Sequence, residues 1–246
     1  IFKLLIHLFL NSYTLWKKLE QILKLKKKIK LLVACDGRAA SGKTTAAKLI
    51  SKKYHLHFLS SGLLYRYISY KLLSKNKLLN KNIYIKKIIK KITLNKLKNK
   101  KLFKENVTQY AAEIAKSKKI RKLLGKYQKK FSKQNHVCIE GRDIGNVICP
   151  NADVKIFFKC NLKVRAKRRW KEYKKNNLTI TLREVKKALK TRDYSDINRK
   201  HSPLREPKDS IVIDTSKLSK KQTLDKISNI IEKKLLLKYG RNYKTK

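Results

Sequence analysis

Gly37, Gly42, Lys43 and Thr44 are spaced G-x-x-x-x-G-K-T inside LLVACDGRAASGKTT, residues 31–45, and that spacing is one that cups phosphate. The backbone N–H groups of such a loop point at the β- and γ-phosphates of a nucleotide, a lysine reaches over them, and the next hydroxyl offers Mg2+ an oxygen. Gly37, Arg38, Ala39, Ala40, Ser41, Gly42, Lys43, Thr44 and Thr45 are therefore the candidate nucleotide-binding residues, with Lys43 a candidate catalytic cation and Thr44 the candidate metal ligand.

A second set of groups suits a second anion. Ser61 and Gly62 stand at the expected start of a helix, whose free N–H groups attract negative charge, and Arg66 follows one turn on. Arginine is the informative residue type here. The chain holds 54 Lys but only 12 Arg, so a position kept as Arg is expected to need the planar, bidentate guanidinium. Arg66, Arg121, Arg142, Arg165, Arg168, Arg169, Arg192 and Arg199 are candidates for phosphate contact. For Mg2+ held through water, Asp36 and Asp143 rank ahead of Glu140, which closes an apolar run.

These groups need a frame that brings them together. Leu31 to Cys35 is an apolar run ahead of the phosphate loop, and Ala46 to Lys53 has the pattern of the helix that must follow it. Further strands are expected at Leu56–Leu59, His136–Glu140, Val154–Lys159 and Ser210–Asp214. Helices are expected near Ile83–Ile92, over Val107–Phe131, from Val164, over Leu182–Thr191 and after the cap Ser219. Strands alternating with helices indicate an α/β fold with a parallel sheet, in which ligands bind at the carboxyl ends of the strands. Gly141 to Gly145 would lie at such an end.

Composition sets the remaining bounds. The 246 residues suffice for one large α/β domain, and 41% hydrophobic content for its core. The formal net charge of +50 would ordinarily suggest a nucleic-acid partner. It is discounted, because Lys, Asn and Ile are all abundant, as drift toward AT-rich codons would make them. Cys35, Cys138, Cys149 and Cys160 form no C-x-x-C pair and read as thiols of a reducing compartment. Residues 1–30 read as a basic and apolar extension too interrupted by Lys3, His7 and Asn11 to cross a bilayer, and no secretory cleavage site follows. Residues 74–106 carry no legible motif.

In order along residues 31–236, the segments DGRAASGKTT, SSGLLYR, EGRDIGNVICPNADVKIFF, RAKRR, TRDYSDINR and DSIVIDTSKLS resemble the bacterial-type cytidylate kinase family. The phosphate loop is shared by many kinases; the GRDIG and R-D-x-x-D-x-N-R segments carry the specific likeness. The resemblance implies a P-loop nucleoside monophosphate kinase with a five-stranded parallel sheet and helices on both faces. It implies a monophosphate-binding region over 59–133 with an eroded insert, a lid over 163–180, and a basic tail at 241–246. It also implies ATP, Mg2+, CMP and dCMP as ligands, no nucleic-acid partner, no stable membrane insertion, a monomer, and a cytoplasmic setting.

By the same resemblance, Ser61, Arg66, Arg142 and Arg199 would grip the CMP phosphate, Asp196 the ribose hydroxyls, and Arg121 with Asp143 the cytosine edge. Arg165, Arg168, Arg169 and Arg192 fall at lid and catalytic-arginine positions; Lys43, Arg142, Arg168 and Arg192 are the expected catalytic cations. The chain departs from the family at Ser60, where Asp is usual, and at Ala112, where a base-contacting Ser is expected. The alternatives are a basic nucleic-acid-binding protein on a degenerate kinase scaffold and a kinase for another nucleoside monophosphate.

Overall fold

A computed structural model describes residues 29–74, 81–175 and 179–240. The expected extension up to residue 28, the tail at 241–246 and residues 176–178 of the expected lid lie outside the described residues. The sheet is built from β1 (Leu31–Gly37), β2 (His57–Ser60), β3 (His136–Gly141), β4 (Val154–Lys159) and β5 (Ile211–Asp214), all parallel, in the order β2-β3-β1-β4-β5. Strand order reverses direction at β1, so the loop leaving its carboxyl end opens into the crevice where such sheets bind ligands.

The residues alternate between two cores, as period-2 side chains must. Leu31, Val33 and Cys35 of β1, with Ile156 and Phe158 of β4, pack under α1 (Lys43–Lys53) and the C-terminal helix, which runs over Lys220–Tyr239. Ala34, Leu59, Val137 and Ile139 face the other side, covered by α2 (Ser61–Leu73), α3 (Lys81–Lys90), α4 (Glu105–Ile114) and α5 (Lys118–Phe131). A third, small cluster of Ala166, Val185 and Leu189 joins α6 (Leu162–Lys175) to α7 (Leu182–Asn198), with Trp170 and Tyr173 packed beside them. The Lys220–Tyr239 helix is α8. Among the described residues no helix is long and apolar enough to cross a membrane.

Two expectations about the elements are corrected and a third is extended. The helical pattern over 107–131 is two helices, because Ser117 caps α5 by accepting from the Ile120 N–H at 3.4 Å. The helix expected to stop at Thr191 runs on to Asn198, so the R-D-x-x-D-x-N-R segment is mostly helical and its acids face inward. The stretch 74–106 carries the helix expected near Ile83–Ile92, as α3, and also two unexpected short 3-10 segments, Lys96–Lys98 and Lys100–Phe103, seated by Leu97 and the fully buried Leu102.

Candidate active site

The phosphate loop is shaped by two glycines. Gly37 ends β1 against β4 with φ +151°, and a Cβ there would lie 2.5 Å from the Phe158 carbonyl oxygen. Gly42 sits at φ +85° as the residue before α1, and Ala40 also lies in the left-handed region at φ 58°. The first intrahelical bond of α1 runs from the Ala46 N–H to the Gly42 oxygen at 3.0 Å. The amides of Lys43, Thr44 and Thr45 are left without an intrahelical acceptor, the arrangement that receives an anion at a helix start.

Lys43 is buried over this loop. Its Nζ donates to the Arg38 oxygen at 3.2 Å and lies 3.9 Å from Glu140 Oε2. Burial, reinforced by nearby Arg142 and only partly opposed by Glu140, pulls its pKa down to about 7. Because the pKa is depressed on folding, the loss of stability from Lys43 grows as pH falls from its ordinary value toward 7, where the buried ammonium forms with Glu140, at 3.9 Å, as its nearest counter-charge. A phosphate would add to that charge and restore the proton. Nucleotide binding at about pH 8 should therefore take up close to one proton per ATP. Calorimetry in two buffers of different ionisation enthalpy measures it, and no uptake would mean that Lys43 is already charged in the empty loop.

The arginines converge on two carboxylates. Asp196 Oδ2 accepts from Arg142 Nε at 2.8 Å and Arg192 Nε at 3.2 Å, while Arg199 Nη1 lies 3.5 Å from Oδ1. Burial alone would raise the Asp196 pKa, but Arg142, Arg192 and Arg199 together hold it at about 2. Asp143 pairs with Arg121 Nη2 and lies 3.8 Å from Arg199 Nη2, and the Arg121 guanidinium also lies over the Tyr65 ring at 5.7 Å. The buried Arg199 Nη2 and Arg121 Nε atoms make no hydrogen bond among the described residues, so donors remain for a ligand. Arg66 stands apart from these carboxylates. Burial first, then the charges of Arg169 and Arg192, lower its pKa to about 10.

Other candidates take different places. Asp36, expected near Mg2+, has its carboxylate occupied: Oδ1 accepts from the Ile144 N–H at 2.9 Å and Oδ2 from the Gly145 N–H at 2.7 Å. It fastens the turn after β3 to β1, and burial raises its pKa to about 7 despite those bonds. Asp143 is likewise committed to arginine. Glu140, ranked lower, is the acid beside Lys43, held by the Ser60 hydroxyl that donates to its Oε1. Ser60, not Ser61, caps α2 by accepting from the Leu63 N–H at 3.4 Å. Ser61 is buried, its hydroxyl accepting from Gln128 Nε2 at 3.0 Å.

Arg165 is a buried strut: Nη2 meets Asp193 at 2.7 Å, Nε donates to the Cys160 oxygen at 3.0 Å and Nη1 to the Ala39 oxygen at 3.1 Å. It ties the start of α6 to α7 and to the phosphate loop. Arg168, an expected catalytic cation, donates to the Thr215 hydroxyl at 3.0 Å and carbonyl at 2.6 Å, and Thr215 in turn donates to the Ser41 oxygen at 2.8 Å. Its guanidinium flanks Gly42 instead of joining the Asp196 group. Arg169 pairs with Glu172 at 2.9 Å, over the Tyr173 ring. Tyr65, Gln128, Asp193 and Thr215 were given no role from sequence, although Tyr65, Asp193 and Thr215 sit inside quoted motifs.

Among the described residues no three acidic, His or Cys side chains gather as a metal cage. The half-buried Thr44 hydroxyl makes no hydrogen bond among them and stands next to Lys43, which fits an Mg2+ that arrives on phosphate oxygens with its waters.

The cytidylate kinase family model matches residues 33–233. The chain belongs to the cytidylate kinase family. It is 38% identical over 213 residues to a cytidylate kinase of Fusobacterium nucleatum, an alignment covering 82% of this chain and 98% of that one. It is 39% identical over 189 residues to one from Bartonella tribocorum, covering 76% and 88%. Among solved structures, an uncharacterized protein from Eubacterium ventriosum superposes with TM-score 0.51 at 14% identity over 82% of this chain and 99% of that one, a likeness of fold. The segments that bring Arg142, Asp143, Asp196 and Arg199 together are those in which the family likeness was strongest.

Proposed function

We propose that this kinase transfers the γ-phosphoryl group of ATP to CMP or dCMP, giving ADP with CDP or dCDP. The observation that carries this reading is the pairing of an amide-rich loop under Lys43 with a group of guanidiniums, Arg142, Arg192 and Arg199, drawn together by one carboxylate at the same sheet edge. Family membership supports it. Phosphoryl transfer needs alignment and charge neutralisation more than a strong base, and fixed cations supply both.

In this reading residues 37–45 hold the ATP phosphates and Lys43 neutralises charge that grows between donor and acceptor. Arg66, Arg142 and Arg199 hold the acceptor phosphate, and Arg192 faces the transfer from α7. Residues 59–133 form the acceptor-binding part and 163–180 the lid, with Arg165 setting the lid helix against the loop. Thr44, with Glu140 through a water, would hold Mg2+, which would supply charge neutralisation at the phosphates. Water exclusion by the lid limits wasteful hydrolysis. The setting is cytoplasmic, the chain a monomer and its partners small molecules; the +50 charge reflects composition.

Asp143 accepts a hydrogen bond from cytosine N4–H2 and repels the uracil carbonyl, which favours CMP over UMP. Ala112 lacks the hydroxyl that the family places against the base. The discrimination against UMP should be loosened by about tenfold relative to the relatives, the order of one lost hydrogen bond. Coupled ADP release with CMP, dCMP, UMP and AMP in turn tests both points. No turnover of any of the four ends the reading; discrimination as sharp as in the relatives removes the role given to Ala112.

A further inference from the structure

Arg66 differs from the other acceptor arginines in what holds it. Arg142, Arg192 and Arg199 share Asp196, and Arg121 is held by Asp143. Among the described residues no carboxylate lies within ion-pair distance of Arg66; its guanidinium carbon instead lies over the Phe103 ring, 5.2 Å from the centroid. Single exposed apolar residues are common on proteins and mean little alone. Phe103 is set apart by the cation above it and by how firmly its backbone is placed. It ends the 3-10 segment Lys100–Phe103, whose neighbouring Leu102 is fully buried and whose start is capped by the Asn99 side chain accepting from the Lys101 N–H at 2.9 Å. Its own side chain is left half in water, at the 52% exposure that burial for its own sake would not produce.

We propose that Phe103 is a positioning residue for phosphoryl transfer: its ring face holds Arg66 ready for the acceptor phosphate while leaving the guanidinium donors out of any ion pair. The proposal rests on the acceptor-site reading given above. A carboxylate would fix Arg66 as well, but it would occupy the N–H donors and compete with the phosphate. A ring attracts the cation through its quadrupole and uses none of the five donors. The charges of Arg169 and Arg192 repel Arg66, those of Glu140 and Glu172 partly offset them, and the ring adds an attraction that needs no donor. The segment that seemed eroded in sequence thus retains one contact to the chemistry.

The experiment is steady-state kinetics on the full chain carrying Phe103→Ala, Phe103→Leu or Phe103→Tyr, alone and with Arg66→Ala. Phe103→Ala should raise the KM for CMP about three- to tenfold, the range of a partly exposed cation–π contact, with kcat and the KM for ATP changed less than about twofold. Phe103→Tyr should restore the wild-type value and Phe103→Leu should not, because leucine fills space without a quadrupole. In the Arg66→Ala background the Phe103→Ala change should have no further effect. An unchanged KM in Phe103→Ala, restoration by leucine, or additivity with Arg66→Ala overturns the proposal while leaving the acceptor site standing. If Arg66→Ala itself leaves the KM for CMP unaltered, the acceptor-site reading has failed, and the role of Phe103 with it.

Discussion

Lys43→Ala should lower ATP-dependent CDP formation by at least about 10²–10³-fold in kcat while leaving the chain as resistant to thermal unfolding as before, or slightly more so. The two halves of that expectation have separate causes. Activity falls because a fixed positive charge at the phosphate loop is lost, while Arg142 stays paired with Asp196. Stability does not fall, because the empty protein holds Lys43 at a cost: burial drives its pKa to about 7, and its one close contact to an acid is at 3.9 Å. Glu140 does not become stranded, since Ser60 still donates to it. A variant that unfolded at much lower temperature would point to a structural lysine, and one with normal turnover would remove the nucleotide loop from the argument. Lys43→Met, which keeps the volume, guards against a cavity as the cause.

The phosphate-loop spacing and the arginines grouped beside it could be read from sequence because their signals are local or stand out from the background. Gly37 and Gly42 are five residues apart, so their spacing is legible without the fold, although what crowds Gly37 is Phe158 of β4. Arg66, Arg142, Arg192 and Arg199 were visible as arginines in a lysine-rich chain, and the structure places the last three around Asp196. The same reasoning could not foresee the protein partners of Arg165 and Arg168. Residue type alone does not tell a guanidinium that meets a ligand from one that meets the protein, and their partners, Asp193, Ala39 and Thr215, are brought in by the fold.

The partners of Asp36 were hidden from sequence for a similar reason. A carboxylate at the end of a strand beside a phosphate loop reads as holding Mg2+ through water, but the amides that donate to it lie 108 and 109 residues away. The missed break at Ser117 and the extra turns of α7 have a common origin. Apolar periodicity runs on across the break at Ser117 and gives no signal in the polar segment after Thr191. What decides is whether a side chain caps the backbone, as Ser117 does, or turns inward to a cation, as Asp193 and Asp196 do. Phe103 gave no signal at all, because its value depends entirely on Arg66 lying above it.

Asp196→Asn should be the most disruptive single change in the acceptor site. The side chain keeps its shape but loses the charge that three guanidiniums share, with Arg142 at 2.8 Å, Arg192 at 3.2 Å and Arg199 at 3.5 Å. The sign of the pH effect follows from the depressed carboxylate: its contribution to stability is full above the ordinary value of 3.8 and is lost as pH falls through about 2. A depression of that size corresponds to roughly 2 kcal/mol, a floor for the neutral variant because the three cations still repel one another. Chemical denaturation near neutral pH should show at least that loss, and the limb of the stability profile between about pH 4 and pH 2 should flatten. A ligand that brings its own phosphate replaces part of the missing charge, so CMP should raise the unfolding temperature more in Asp196→Asn than in the parent chain, even as turnover collapses. Equal stabilisation by CMP in the two chains would show that the acceptor phosphate does not enter among these arginines.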